Sequence, residues 1–241
     1  MKPRILLYDI ETRPNLAYVW GKYEQNVLAY KEEWSILSVA WKWLGEKEVN
    51  YLGREKSLNS DKKVTKKIHS LFNQADIVIA HNGDRFDQRK SRARMIANLL
   101  PPTKTLTTID TLKVAKAHFA FNGNGLNDLA EHLGLGKKVK VPGFDLWEGC
   151  MRGDAKSWKL MERYNKRDVV LLERVYKRFR PWIVNHPHLG RLLRVASVSC
   201  PACGNSRPVK WGIRICTSQV RQRWCCNSCG HQFTTAKGAN K

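Results

Sequence analysis

The sequence predicts an α/β domain followed by a small, mostly β appendage held together by a metal, and three observations carry that prediction. Short apolar runs at residues 5–8 and 77–80 have strand length, whereas 88–100 and 157–182 read as helices, the latter repeating its apolar residues at helical spacing. Acidic residues gather at the ends of those runs and inside the last helix. Two Cys-x-x-Cys pairs then appear near the end of the chain, in a stretch where no Asp or Glu follows Glu173 although thirteen Lys or Arg do. A length of 241 residues suits one full α/β domain plus a small addition.

The elements follow in order. Ile5-Leu6-Leu7-Tyr8, bounded by Pro3 and Pro14, is a short buried strand, and the alternation of side chains puts Asp9 and Glu11 on one face. Residues 12–34 make a long connection containing Tyr18, Trp20, Tyr23 and Trp34. These aromatics either stack on an unpaired terminal base or cover the sheet edge as ordinary core. Asp76 to Ala80 is a second strand, and His81-Asn82-Gly83-Asp84-Arg85-Phe86-Asp87 leads from it into a helix over 88–100, so Asp87 stands at a strand-to-helix junction. Residues 106–112 read as a strand entering a helix, with Asp110 at the helix start as a cap rather than a contact to a metal site. Gly123, Asn124 and Gly125 form a permissive turn, a plain loop, before a short helix that ends at Leu133-Gly134. In the segment 157–182, Tyr164 and Asp168 are four apart and share a face. Asp168 lies in an apolar stripe, so burying it demands a positive partner. His69, His118 and His132 read as surface or satisfied core residues, and His81 receives no catalytic role.

Taken singly, each acidic signature is a cap or a surface charge. In this order, Asp9-Ile10-Glu11, then the segment closing on Phe86-Asp87, then Tyr164-x-x-x-Asp168, they resemble the DEDD superfamily of 3′ to 5′ exonucleases in its tyrosine-bearing version, over about residues 1–182. The spacing Asn82-x-x-x-Phe86-Asp87 is similar to the proofreading domain of family B DNA polymerases. The resemblance implies the ribonuclease H-like fold, a mixed sheet flanked by helices. It implies that Asp9, Glu11, Asp87 and Asp168 hold two Mg²⁺ or Mn²⁺ ions, hard cations suited to oxygen ligands, and that Tyr164 orients the attacking water as a neutral phenol. Asp84 is the rival to Asp87 as the ligand of the second signature; the Phe86-Asp87 pair favours Asp87. The expected reaction is release of nucleoside 5′-monophosphates from the 3′ end of a nucleic acid, DNA slightly ahead of RNA. Lacking the bulk of a polymerase, the chain would act alone or with a replication or repair partner, and it looks like free-standing nucleases carried by bacteriophages. The alternatives are a ribonuclease H-like endonuclease, which has no need of Tyr164, and a catalytically silent nucleic-acid-binding module, against which the full set of carboxylates stands.

Cys200-Pro201-Ala202-Cys203-Gly204 is answered by Cys226-Asn227-Ser228-Cys229-Gly230, with 22 residues between Cys203 and Cys226. Cys200, Cys203, Cys226 and Cys229 at this spacing read as a structural Zn²⁺ site of four thiolates, and the block resembles a zinc ribbon with strands around Ile213-Arg214-Ile215 and Arg223-Trp224. An odd count of seven cysteines and the lack of a secretory signal argue against disulfides. Cys225 competes with Cys226, which alone keeps the two-residue gap to Cys229; Cys150 and Cys216 read as small buried residues or free thiols. The expected division is 1–182 for the nuclease domain, 183–197 as linker, 198–235 as ribbon and 236–241 as tail.

Charge agrees with a polyanionic partner: 43 basic residues against 21 acidic give a formal net charge of +22. Arg85, Arg89, Lys90, Arg92 and Arg94 crowd the helix after Asp87, where incoming phosphates would pass. In the tail, Trp211, Trp224 and Phe233 interleave with Arg214, Arg221 and Arg223; Trp224 and Phe233 read as the ribbon's core. No apolar run approaches the roughly 18 residues of a membrane span. The expectation is a cytoplasmic enzyme acting on single-stranded 3′ ends, with no membrane partner.

Overall fold

A computed structural model describes residues 3–23, 26–54, 59–195 and 198–236. The expected tail therefore lies outside the described residues except for Ala236. The chain runs β1 (Ile5–Arg13), β2 (Leu16–Tyr18), β3 (Ala29–Glu32), β4 (Ser35–Trp43), β5 (Asn50–Gly53), α1 (Lys62–Gln74), β6 (Ile77–Ala80), α2 (Asp87–Ala97), β7 (Thr107–Asp110) and α3 (Thr111–His118). It continues through α4 (Leu126–His132), α5 (Asp145–Met151), α6 (Ala155–Phe179), a 3₁₀ turn (Arg180–Trp182), α7 (Leu189–Leu192), β8 (Val209–Ile215), β9 (Val220–Cys225) and β10 (Gln232–Ala236).

Five strands form one mixed sheet in the order β5-β4-β1-β6-β7, antiparallel between β1, β4 and β5 and parallel between β1, β6 and β7. Alternation along β1 sorts its residues to two cores. Leu6, Tyr8 and Ile10 join Val64, Ile68 and Phe72 of α1 and Met95 of α2 on one face; Ile5 and Leu7 join Val169, Leu172, Val175 and Phe179 of α6 on the other. Asp9 and Glu11 continue the second set and so point to the side that α6 covers. The strand does not stop at the apolar run. It extends to Arg13 because β4, buried along its whole length, pairs with it, setting Asp9 opposite Ala40 and Glu11 opposite Ser38.

α2 is shorter than the sequence suggests. It begins at Asp87 and ends at Ala97, where Leu99 takes a left-handed conformation at φ 57°. The long helix begins at Ala155, capped by the Asp154 carboxylate accepting from Ser157 N, and leaves α geometry at Arg180, where Pro181 has no amide to donate. Within the expected linker, Ile183, His186 and Leu189 are buried, His186 Nε2 shares a 2.8 Å hydrogen bond with Tyr176 Oη, and Leu189 N donates to Pro201 O. The ribbon is a separate three-stranded sheet, β10-β9-β8, that meets the end of α6 through His231 Nδ1 and Pro181 O at 3.2 Å.

Between β1 and β4 the chain makes a small hairpin, β2 with β3. Trp20 is 91% exposed, Tyr23 86% and Tyr18 58%, so the reading of these three as core over the sheet edge falls. Trp34 is half-buried beneath the Lys90 ammonium, 3.7 Å from the ring centre. Among the described residues no helix is long and apolar enough to cross a membrane.

Candidate active site

β1 and α6 bring three carboxylates to one point: an oxygen each from Asp9, Glu11 and Asp168 lie within 4.8 Å of one another. Asp9 and Glu11 reach it because they share the α6 face of β1, and Asp168 because it lies on the stripe of α6 that packs on the sheet. Asp87 stands apart from this trio. It opens α2, is buried, and its Oδ1 accepts from the amide of Ile10, between the two β1 acids, at 3.1 Å. Asp84 turns elsewhere: its carboxylate takes Lys113 Nζ at 2.6 Å and Gln88 Nε2 at 2.7 Å. Asp110 caps α3, accepting from Leu112 N, and also from Asn82 N and Asp84 N, so it pins the loop that delivers Asp87. His81 bonds Thr111 Oγ1 through Nδ1.

Crowding and burial make these acids reluctant to ionise. Burial, then repulsion from Glu11, Asp87 and Asp168, holds Asp9 well above the usual carboxylate range. Burial, then Asp168, pushes Glu11 up to about 8, and burial raises Asp87 to about 7. Asp168 is raised by burial against the pull of Lys138. Among the described residues its Oδ1 is buried without a hydrogen-bond partner. An all-oxygen donor set, mutually repelling and with one orphaned acceptor, fits a hard divalent cation such as Mg²⁺ or Mn²⁺. Tyr164 lies beside it, its phenol pushed up to about 12 by burial and by Asp168, and hence neutral.

Three contributors are absent from the sequence reading. Lys138 is the positive partner that buried Asp168 demands, with Nζ 2.6 Å from Asp168 Oδ2 and 3.3 Å from Tyr164 Oη. Its only signal was the cluster Lys137, Lys138 and Lys140, which resembles any solvated loop. Asn165 Nδ2 donates to Asp9 Oδ2 at 2.6 Å, while its own oxygen accepts from Ser38 Oγ, an arrangement that aims Asp9. Its position three residues before Asp168 was the available clue. Trp147 donates to Glu11 and meets Tyr164 edge-on at 5.9 Å. From there a groove of about 640 Å³ opens, walled by Trp34, Phe144 and Trp147 and rimmed by Arg13 and Lys90. Arg94, expected among the phosphate-facing residues of α2, is instead bound to Asp61 through Nε and Nη2.

At the other end of the chain, the sulfurs of Cys200, Cys203, Cys226 and Cys229 lie within 4.8 Å of one another, a cluster that fits a zinc ribbon. Cys225 is not in it. Contacts from the Cys200 thiol foremost depress Cys229 to about 4. Cys150 is buried and Cys216 half-buried.

A family model of the RNase H superfamily matches residues 24–180. The chain belongs to the RNase H superfamily. The matched range begins beyond β1, so Asp9 and Glu11 enter through the geometry above. Among solved structures, this RNase H superfamily chain is similar to the family B DNA polymerase of the hyperthermophilic archaeon Pyrobaculum calidifontis, with a TM-score of 0.54 and 14% identity. The match covers 90% of this chain and 31% of that one, a likeness of fold over less than a third of the polymerase. No curated protein sequence matches.

Proposed function

We propose that the chain is a divalent-metal-dependent 3′ to 5′ exonuclease that releases nucleoside 5′-monophosphates from single-stranded ends, DNA ahead of RNA. The observation that carries this reading is the trio of carboxylates from β1 and α6, within 4.8 Å, with a neutral tyrosine beside it. Asp9, Glu11 and Asp168 would hold Mg²⁺ or Mn²⁺ with Asp87 completing the set, and such ions supply a more acidic water and stabilisation of the departing 3′ oxygen. The residues do the rest. Tyr164 Oη, neutral at physiological pH, orients the incoming water by hydrogen bonding. Lys138 sets a positive charge where negative charge builds on the phosphate. Asn165 and Ser38 keep Asp9 aimed inward, and the groove between Trp34, Phe144 and Trp147 offers aromatic faces to unpaired bases. The four-cysteine cluster would hold one structural Zn²⁺.

The test is digestion of a 5′-labelled single strand beside a closed single-stranded circle, with magnesium or manganese. A ladder shortening from the 3′ end with the circle intact is the expected result. Linearisation of the circle would establish an endonuclease instead, and binding without any nucleotide release a silent module. Asp9→Ala or Asp168→Ala should abolish release, a loss of at least about a thousandfold, while binding of the strand persists.

A further inference from the structure

The ribbon sheet carries an arginine face with no counter-charge of its own. Arg214 of β8 lies directly opposite Arg221 of β9, and Arg223 follows two residues along, on the same face as Arg221. Like charges directly opposite one another in a ladder are destabilising, and proteins usually separate them or interpose an acid. Here no acid is available, since no Asp or Glu follows Glu173, and every ion pair among the described residues is made in the body of the protein. Among the described residues, the Arg221 guanidinium meets the neutral Gln219 amide oxygen, at 2.8 and 3.2 Å. The opposite face of the same strands does the packing: Trp224 is buried there, paired with Phe233.

A second feature lies beside the row. The register between β8 and β9 slips between Lys210↔Trp224 and Ile213↔Gln222, so Trp211 and Gly212 together oppose Arg223, with Gly212 at φ 86°. Such a bulge re-aims a side chain out of the ladder. Trp211 is accordingly 55% exposed, opposite Arg223 in the register, although an indole of that size could have been used for a small core. Along β8 every residue is exposed, so nothing among the described residues covers this edge.

We propose that Arg214, Arg221 and Arg223, with Trp211 at their end, form a binding surface for the phosphate backbone of a single-stranded nucleic acid, the guanidinium groups taking successive phosphates and the indole stacking on a base. This is a second foothold on the strand, away from the carboxylates, and it rests on the nuclease reading only for what happens to that strand afterwards. Planar, fork-shaped donors suit phosphate oxygens, and the strand supplies the negative charge that the ribbon sequence lacks.

The surface is tested by fluorescence anisotropy of labelled 30-residue oligothymidylate and oligouridylate with phosphorothioate 3′ ends, without added magnesium, over a series of salt concentrations. Replacing all three arginines by glutamine should weaken binding at least tenfold and flatten the plot of log affinity against log salt by about 2, since each phosphate neutralised on a single strand adds about 0.7 to that slope. Single Arg214→Gln and Arg223→Gln proteins should each flatten it by about 0.7, and Arg→Lys replacements should restore the slope. Trp211→Ala should weaken binding without changing the slope. The two oligomers together show whether the surface distinguishes sugars. Unchanged affinity and slope in variants that retain zinc overturn the inference, as does arginine-dependent binding to phosphatidylserine vesicles with none to either oligomer. Should the triple protein fail to retain zinc, the single replacements decide. A protein that cleaves but shows no arginine-dependent slope loses only the ribbon surface; one that binds through the arginines and never cleaves loses only the nuclease.

Discussion

At the scale of single residues, the site is a case of charges placed against their own interest. Asp9, Glu11 and Asp87 are all raised, the last two to about 8 and about 7, with burial the first cause in each. A carboxylate whose folded value lies above its unfolded one leaves the folded protein holding extra protons, so its stabilising effect is complete at low pH and fades as pH climbs through the folded value. The histidines shifted the other way, His81, His186, His188 and His231, have finished contributing above about pH 6.5. With the zinc retained but no magnesium or manganese added, the melting temperature should therefore fall between about pH 6.5 and about pH 8. Magnesium should raise it more at the upper end of that window, because binding replaces protons that have left. Differential scanning fluorimetry at fixed ionic strength checks this, and a magnesium effect that shrinks toward pH 8 would count against the carboxylates as its site. Two of these residues could be read from the strand alternation alone, since Asp9 and Glu11 share a face whatever surrounds them. Lys138 could not: its loop is held by Arg167 Nε donating to Lys137 O and Arg174 Nη1 donating to Leu135 O, contacts that exist only once α6 is in place.

At the scale of elements, the sheet order makes the strand-to-helix junctions the points of control. β6 and β7 run parallel to β1, so the loop after β6 and the start of α3 after β7 both lie at the end of the sheet where Asp9 and Glu11 stand. Asp110 joins them, accepting from one amide of its own helix and two of the neighbouring loop. Asp110→Ala removes a cap worth about 1 kcal/mol and leaves two further amides without their acceptor, about 1–3 kcal/mol each where they are shielded from water. Because the loop is only part-buried, the expected loss is about 2–3 kcal/mol, a fall of roughly 5–10 °C in melting temperature for a domain of this size. Nuclease activity should fall with it, and Asp110→Asn should recover part of both. An unchanged melting temperature would show that the loop holds itself. The capping role itself was legible, as were β6, α4 and most of α6, because apolar period and turn residues fix such elements locally. The hairpin of β2 and β3 was not: its strands are short and exposed, with no buried face to impose a pattern. The end of α2 was missed by three residues because the backbone reversal at Leu99 is a tertiary choice that a leucine does not advertise.

At the scale of the whole molecule, the ribbon has too little apolar core to stand without its sulfur cluster: its only buried apolar side chains among the described residues are Cys200, Ala202, Trp224 and Cys226, with Phe233 partly covered. Metal analysis should return one zinc per chain, and Cys203→Ser should lose it. The body, with its own two cores, should keep its helical circular dichroism when the zinc is removed; its collapse would mean that ribbon and body fold as one. What joins them is α6. The helix carries Asp168 at its middle; its last turn meets the connector through Tyr176, and Pro181 of the 3₁₀ turn that follows meets the ribbon. Asp168 and Phe179 are eleven residues apart, about 17 Å of rigid helix at 1.5 Å per residue. A packed connector and a continuous helix give the protein a built-in ruler. Fragments too short to reach from the carboxylates to the arginine row should be cut at a rate indifferent to those arginines, and longer strands should slow when the row is removed, so that the length at which the two behaviours part measures the molecule from end to end.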